Sequence, residues 1–373
     1  MNIALIHDYL TQRGGAERVF ELFCHHLPEA DVLTSLYDPA RTIDLGDRPV
    51  QTTYLQHLPG ATRYFRLLAP LYYGAFQSLD LTAYDLLLTS TTSFAKAVRR
   101  RPDAKHICFC HNITRFLWDT TTYLREFPRY RRIRPLLEPI FALMRQQDYA
   151  IAQGPDLYVA NSTTVKQRIE SVYHKPAVVL HYPIDETKFT YGEQKQEFYL
   201  VAARLLGYKR VDCVIEAFNA LGLPLKIMGD GPERRRLESL VRSPQIEFLG
   251  EVSDTARTQW MANAKAVIVA AVEDYGLVPI EANVSGTPVL SYGCGGVLDT
   301  QREGETGLFF RQQTPAAIIE AVRAFEGRSW HPAAIRQHAL ENFSRPVFFQ
   351  KLDRLIAEVC TTRTAPLTSE FIT

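Results

Sequence analysis

The chain has 373 residues, 46% hydrophobic and 22% charged, too long for one typical domain and apolar enough for two cores. Its 42 Lys and Arg against 41 Asp and Glu leave a formal charge of +1, which argues against a generic nucleic-acid binder. The six cysteines, at 24, 108, 110, 213, 294 and 360, show neither paired C-x-x-C spacing nor a disulfide framework, as a reducing compartment would favour.

In chain order, Met1 leads directly into NIALIH (2–7), a strand-like run with no signal peptide ahead of it and with His7 and Asp8 at its end. Gly14 and Gly15 then open an amphipathic helix from about Ala16. Glycines at such a turn let a ligand approach the backbone, and the helix start offers N–H groups to an anion. Plain turn chemistry explains them equally well, and neither G-x-G-x-x-G nor a P-loop is present. Further strands are expected at 31–37, 84–91, 106–111 and 157–162. Cys108 and Cys110 alternate to one face of the 106–111 strand, as buried small hydrophobes rather than metal ligands.

The longest apolar stretch, LLAPLYYGAF (67–76), is about half of what a membrane span needs. Residues 96–145 hold twelve Lys or Arg against four acids, and 63–76 adds aromatics and leucines with two arginines nearby. These two segments predict a face that meets an anionic membrane surface. Solvated helices with internal ion pairs are the alternative.

Pro183, Gly192 and the polar EQKQE mark a linker at 181–194, after which the strand rhythm restarts at 198–204, 225–230, 246–251, 265–272 and 287–293. Nearly continuous apolar strands separated by helices predict two doubly wound, parallel α/β domains, 1–181 and 182–345. A last helix near 346–359 aligns Phe348, Leu352, Leu355, Ile356 and Val359 on one face, with no strand after it.

Ligands of such sheets bind beyond the carboxyl ends of the strands, so the residues that follow each strand are the candidates. Arg204 and Lys209 flank a loop and can bring a guanidinium fork and a point charge to one phosphate cluster. Gly229-Asp-Gly-Pro232 marks another strand end that needs close backbone approach. Glu273 lies in the loop after KAVIVAAV, Gly276 and Leu277 lead into a helix, and Glu281 falls in its first turn. A carboxylate suits a cis-diol such as ribose. The glycines at 293, 295 and 296 could present backbone N–H groups to phosphate or base.

Taken in order, Gly14-Gly-Ala-Glu-Arg, Arg204 with Lys209, Gly229-Asp-Gly-Pro, Glu273/Glu281 with Gly276, Ser285-Gly-Thr-Pro-Val and Gly304–Phe310 resemble a retaining glycosyltransferase of family four. The resemblance implies a GT-B fold: two Rossmann-like domains facing a central cleft, with the C-terminal helix (346–373) crossing back to the N-terminal, acceptor-binding domain. It implies that the C-terminal domain holds a nucleotide sugar. Arg204 and Lys209 would neutralise the leaving diphosphate, Glu281 would take the ribose, Glu273 would contact the transferred sugar, and His111 would face that sugar or the acceptor. Gly14, Gly15, Gly276 and Leu277 would complete the donor site.

YKRVD and EDYG are similar to the GDP-mannose branch, which favours mannose as the hexose, although Asn112-Ile-Thr departs from the branch's usual sequence. The acceptor would be a glycan or a lipid-diphosphate-linked sugar of surface polysaccharide or glycolipid synthesis. No cofactor beyond the donor co-substrate and no metal is expected, since no Asp-x-Asp motif occurs. No nucleic-acid partner is expected. The expected location is the cytoplasm or, peripherally, the inner face of the membrane. A nucleotide-sugar epimerase and a non-catalytic nucleotide-sugar-binding protein of the same architecture are the alternatives.

Overall fold

The computed structural model describes residues 1–119 and 130–361. The chain divides into two compact units, Met1–His181 with Phe349–Thr373, and Tyr182–Phe348.

The first unit holds a seven-stranded sheet: β1 (Ile3–His7), β2 (Asp31–Thr34), β3 (Val50–Thr52), β4 (Leu86–Thr91), β5 (Lys105–Cys110), β6 (Leu157–Ala160) and β7 (Ala177–Val179). Their spatial order is β3-β2-β1-β4-β5-β6-β7, and every pairing is parallel. The second unit holds six: β8 (Tyr199–Ala202), β9 (Leu225–Met228), β10 (Ile246–Gly250), β11 (Ala266–Val269), β12 (Val289–Tyr292) and β13 (Gly307–Phe310). Their order is β10-β9-β8-β11-β12-β13, again all parallel. This is the doubly wound α/β arrangement of Rossmann-like domains.

Central strands such as β8 and β11 read as unbroken apolar runs, as where helices cover both faces of a sheet. All six residues of β4 and all four of β8 and β11 are buried. Winding reverses between β1 and β4 in the first sheet and between β8 and β11 in the second. The residues following those four strands are therefore brought together at the two switch points, where such sheets bind ligands.

Eight of the ten expected strands end one to three residues earlier than the sequence suggested, while β1 and β4 end where it placed them. His111 accordingly sits just past β5 rather than within it. The C-terminal helix runs Arg345–Thr361, so its first turn lies in the second unit and the rest in the first. Phe348, Leu352, Leu355, Ile356 and Val359 are all buried. Among the described residues, no helix is long and apolar enough to cross a membrane.

Candidate functional site

In the second unit the loop after β8 carries Arg204 and Lys209, and the loop after β11 carries Glu273. Adjacent strands at the switch point bring two of the three together: Lys209 Nζ lies 2.6 Å from Glu273 Oε1. Burial opposes the ammonium, but the Glu273 carboxylate and the Tyr208 side chain hold its pKa above the usual lysine value. Arg204 is exposed and makes no ion pair among the described residues. The loop thus presents one cation matched by a carboxylate and one open to solvent.

Gly276 occupies the turn into the helix Leu277–Val284 at a φ of 92°, a conformation that glycine adopts without the strain a Cβ would add. Leu277 is half-buried at the helix start. Glu281 lies in the second turn of this helix, not the first, because the helix begins at Leu277 itself. It is buried, and its carboxylate is held by Arg257 of the helix Asp254–Asn263. Arg257 belongs to none of the motifs read from the sequence. Its helix follows β10, at the far edge of the sheet order, so spacing along the chain gives no hint of the pairing.

Two glycine-rich turns serve the loops rather than standing open. A Cβ on Gly231 would come within 2.4 Å of the Leu205 carbonyl oxygen, and one on Gly296 within 2.4 Å of Tyr275 Cα. The Gly296 N–H donates to the Glu273 carbonyl at 2.7 Å. Of the three N–H groups expected to be offered to phosphate or base, that of Gly296 is therefore already used to fix the backbone that carries Glu273, and that of Gly293 is donated to the Phe310 carbonyl.

The same holds for the first turn of the chain. The Gly14 N–H donates at 2.9 Å to the carboxylate of Glu17, and a Cβ on Gly14 would meet that oxygen at 2.7 Å. The backbone N–H at this turn is thus taken by an internal anion, and Gly15 is the first residue of the helix Gly15–His26. Burial would raise the Glu17 pKa, but His7, Gln12 and the backbone hold it down to about 2.

Asp8, just past β1, accepts from the hydroxyls of Thr91 and Thr92 and from the N–H groups of Thr92, Ser93, Phe94 and Ala95, all at 2.7–3.0 Å. Burial opposes its charge, but His7 and these donors keep its pKa below the usual carboxylate range. The sequence marked Asp8 only as a strand-end residue. Its role in closing the turn after β4 depends on which strand lies beside β1.

His111 is buried, and burial followed by the neighbouring His7 pushes its pKa down to about 3, so the ring is neutral at ordinary pH. Its Nε2 lies 2.7 Å from Ser90 Oγ, at the end of β4.

The basic segment is largely internal where it is described. Lys96 is buried 2.8 Å from Asp148, and Arg100, Arg101, Arg115 and Arg145 pair with Asp156, Asp85 and Asp103, Asp119 and Glu138. The basic side chains at 125, 129, 131, 132 and 134 lie outside the described side chains. Cys108 and Cys110 are buried in one cluster with Ile113, Tyr158 and Val165. No group of three His, Cys, Asp or Glu side chains converges on a metal-sized site among the described residues.

Residues 13–188 match the family model described as Glycosyltransferase Family 4, and residues 183–341 the model described as Glycosyl transferases group 1. The chain is 23% identical over 171 residues to an uncharacterized glycosyltransferase of Methanocaldococcus jannaschii, covering 45% of this chain and 48% of that one. It is 29% identical over 122 residues to an alpha-1,3/1,6-mannosyltransferase of Rhizomucor pusillus, covering 31% of this chain and 27% of the relative. These matches span about half or less of the relatives' length. The structure superposes on that of Anabaena HepE in complex with UDP and glucose with a TM-score of 0.66 at 16% identity, over 95% of this chain and 99% of the other. Together with the two parallel sheets, this likeness identifies the fold as α/β of the GT-B type.

Proposed function

We propose that this chain, which carries a Glycosyltransferase Family 4 domain followed by a Glycosyl transferases group 1 domain, is a retaining hexosyltransferase that uses a nucleotide-diphosphate sugar. The observation that carries the reading is the switch point of the second sheet, where Lys209 and Glu273 meet at 2.6 Å. Breaking a sugar–phosphate bond leaves negative charge on the diphosphate, and Arg204 with Lys209 would stabilise that charge as it develops. Lys209 exchanges one anion for another when the donor enters, which frees Glu273 for a hydroxyl of the sugar. Glu281, pre-oriented by Arg257, accepts the ribose hydroxyls.

His111 contacts the transferred sugar or the acceptor, and Gly276 and Leu277 shape the donor pocket. The charge of the leaving group is met by side chains, so no metal is invoked. The Rhizomucor relative is named a mannosyltransferase, which supports the preference for mannose, and with it we place a GDP donor first. The HepE complex contains UDP and glucose, so the base and the sugar are the first things to test. The acceptor class is a glycan or a lipid-diphosphate-linked sugar. Peripheral membrane contact would use the exposed Tyr64, Leu67 and Leu71 with Arg63 and Arg66, since most described basic residues of 96–145 are paired internally.

The test is a thermal-shift screen over GDP-, UDP- and ADP-sugars followed by product analysis, with and without chelator. One class of donor is expected to stabilise the chain by mass action and to release nucleoside diphosphate without a new sugar isomer. Lys209→Ala should lower turnover roughly 10²-fold, as for loss of one charge-stabilising group. A new isomer would instead identify an epimerase, and a shift without turnover a binding module. If Glu281→Ala leaves the shift intact, the ribose assignment is wrong.

A further inference from the structure

The register of the first sheet sets His7 directly beside Ser90. Ser90 Oγ lies 3.1 Å from His7 Nδ1 and 2.7 Å from His111 Nε2, so one hydroxyl bridges two imidazoles. The other nitrogen of His7, Nε2, is 3.9 Å from Glu17 Oε1. All four side chains are buried, which keeps water from substituting for any link. The chain of contacts runs from the glycine turn at 14, through β1 and β4, to the residue after β5.

We propose that Glu17, His7 and Ser90 act as a relay that selects which ring nitrogen of His111 carries its proton. The relay itself follows from the contacts, and its use in catalysis rests on the proposed role of His111 against the sugar. A serine hydroxyl has one proton to give, so between two imidazole nitrogens it donates to one and accepts from the other. The Glu17 carboxylate faces His7 Nε2 and favours a proton there.

With His7 neutral, its Nδ1 is then an acceptor and takes the Ser90 proton. Ser90 must accept from His111 Nε2–H, which leaves His111 Nδ1 as an acceptor. With His7 protonated, its Nδ1–H donates to Ser90 and the hydroxyl turns towards His111 Nε2. The stable form of His111 then carries its proton on Nδ1. One added proton on His7 inverts the hydrogen-bonding polarity of a ring that itself stays neutral.

Among the described residues, the charged and titratable groups coupled to this pair are Asp8, Glu17 and the two histidines themselves. An acceptor nitrogen takes a hydrogen bond from a sugar hydroxyl, whereas a donor nitrogen gives one to a sugar oxygen. His7, Ser90 and Glu17 are therefore positioning residues for His111.

The experiment is long-range ¹H–¹⁵N spectroscopy of the full chain labelled at histidine nitrogens, with His111→Gln identifying the His111 resonances. Where the spectrum shows His7 neutral, His111 is expected as a single tautomer with the proton on Nε2, and acidification that protonates His7 should reverse it. Ser90→Ala should replace the single tautomer by a mixture, and Ser90→Thr, which keeps the hydroxyl, should restore it. Should the alanine variant fail to fold, Glu17→Gln reads the same dependence from the other end of the relay. A proton on His111 Nδ1 while His7 is neutral, or a tautomer unchanged in Ser90→Ala, overturns the proposal. The spectra do not depend on turnover. Absence of sugar transfer with the expected tautomers would sink the transferase reading alone, and transfer with an unresponsive tautomer would sink the relay alone.

Discussion

Each carboxylate that the sequence placed near a strand end or a glycine turn has a definite partner. Glu273 holds Lys209, Glu281 holds Arg257, Asp8 holds the turn after β4, and Glu17 holds Gly14. The types and positions of these residues were legible because carboxylates and glycines stand out against apolar strands. The partners of Glu281 and Asp8 were not, since Arg257 and the turn Thr91–Ala95 come from elements distant in the chain.

Glu17 allows a pH prediction. Its pKa falls from the ordinary 4.5 to about 2 in the folded chain, so its contribution to stability is complete above about 4.5 and is lost as pH falls towards 2. Glu17→Gln should lower stability at neutral pH by on the order of 2 kcal/mol. The gap to the parent chain should close on acidification through that window, as followed by urea unfolding at stepped pH. A gap independent of pH would mean that the carboxylate's charge is not what stabilises the turn.

At the scale of elements, the loops after β4 and β5 are tied to the helix Tyr130–Ile151 through a single buried carboxylate. Asp148 accepts from Lys96, Tyr73, Thr114, Trp118 and Tyr173 at 2.7–3.0 Å. Burial opposes both charges of the Lys96–Asp148 pair, yet their attraction and the surrounding donors keep the carboxyl pKa low and the ammonium pKa high. Removing one partner strands the other. Lys96→Met or Asp148→Asn alone should cost about 3–5 kcal/mol. The double variant Lys96→Met with Asp148→Asn should recover part of that loss, as measured by chemical denaturation. Simple additivity of the two single costs would show that the pair is not coupled.

Elements differed in how well the sequence revealed them. AVIV of β11 stands out as a buried apolar run, and LLLTST of β4 by the leucines that open it. VQT of β3 and AVV of β7 are three residues long and partly exposed at the sheet edges, too short to show a period. GLFF of β13 was read as the end of a motif rather than as a strand, because glycines precede and begin it.

At the scale of the whole molecule, the contrast between the two sheets decides what each unit can meet. The exposed run Tyr64, Leu67 and Leu71, up to 72% accessible at Leu67, has Arg63 and Arg66 beside it. Sedimentation with vesicles containing anionic lipid should carry the chain down at low salt, and Leu67→Asp with Leu71→Asp should leave it in the supernatant. Equal recovery of the parent chain with neutral and anionic vesicles, at low and high salt, would rule out this membrane face.

The filled turns of the first sheet have a further consequence. Backbone N–H groups at a switch point commonly welcome a phosphate, but here Asp8 and Glu17 act as captive counter-ions that occupy those seats permanently. A free diphosphate would meet fixed carboxylates at the first sheet, whereas at the second the proposed function gives it Arg204 and Lys209. Under the proposed function, two domains wound almost alike would differ in what they offer an anion, and a nucleotide would be sorted to the second before any base or sugar is recognised.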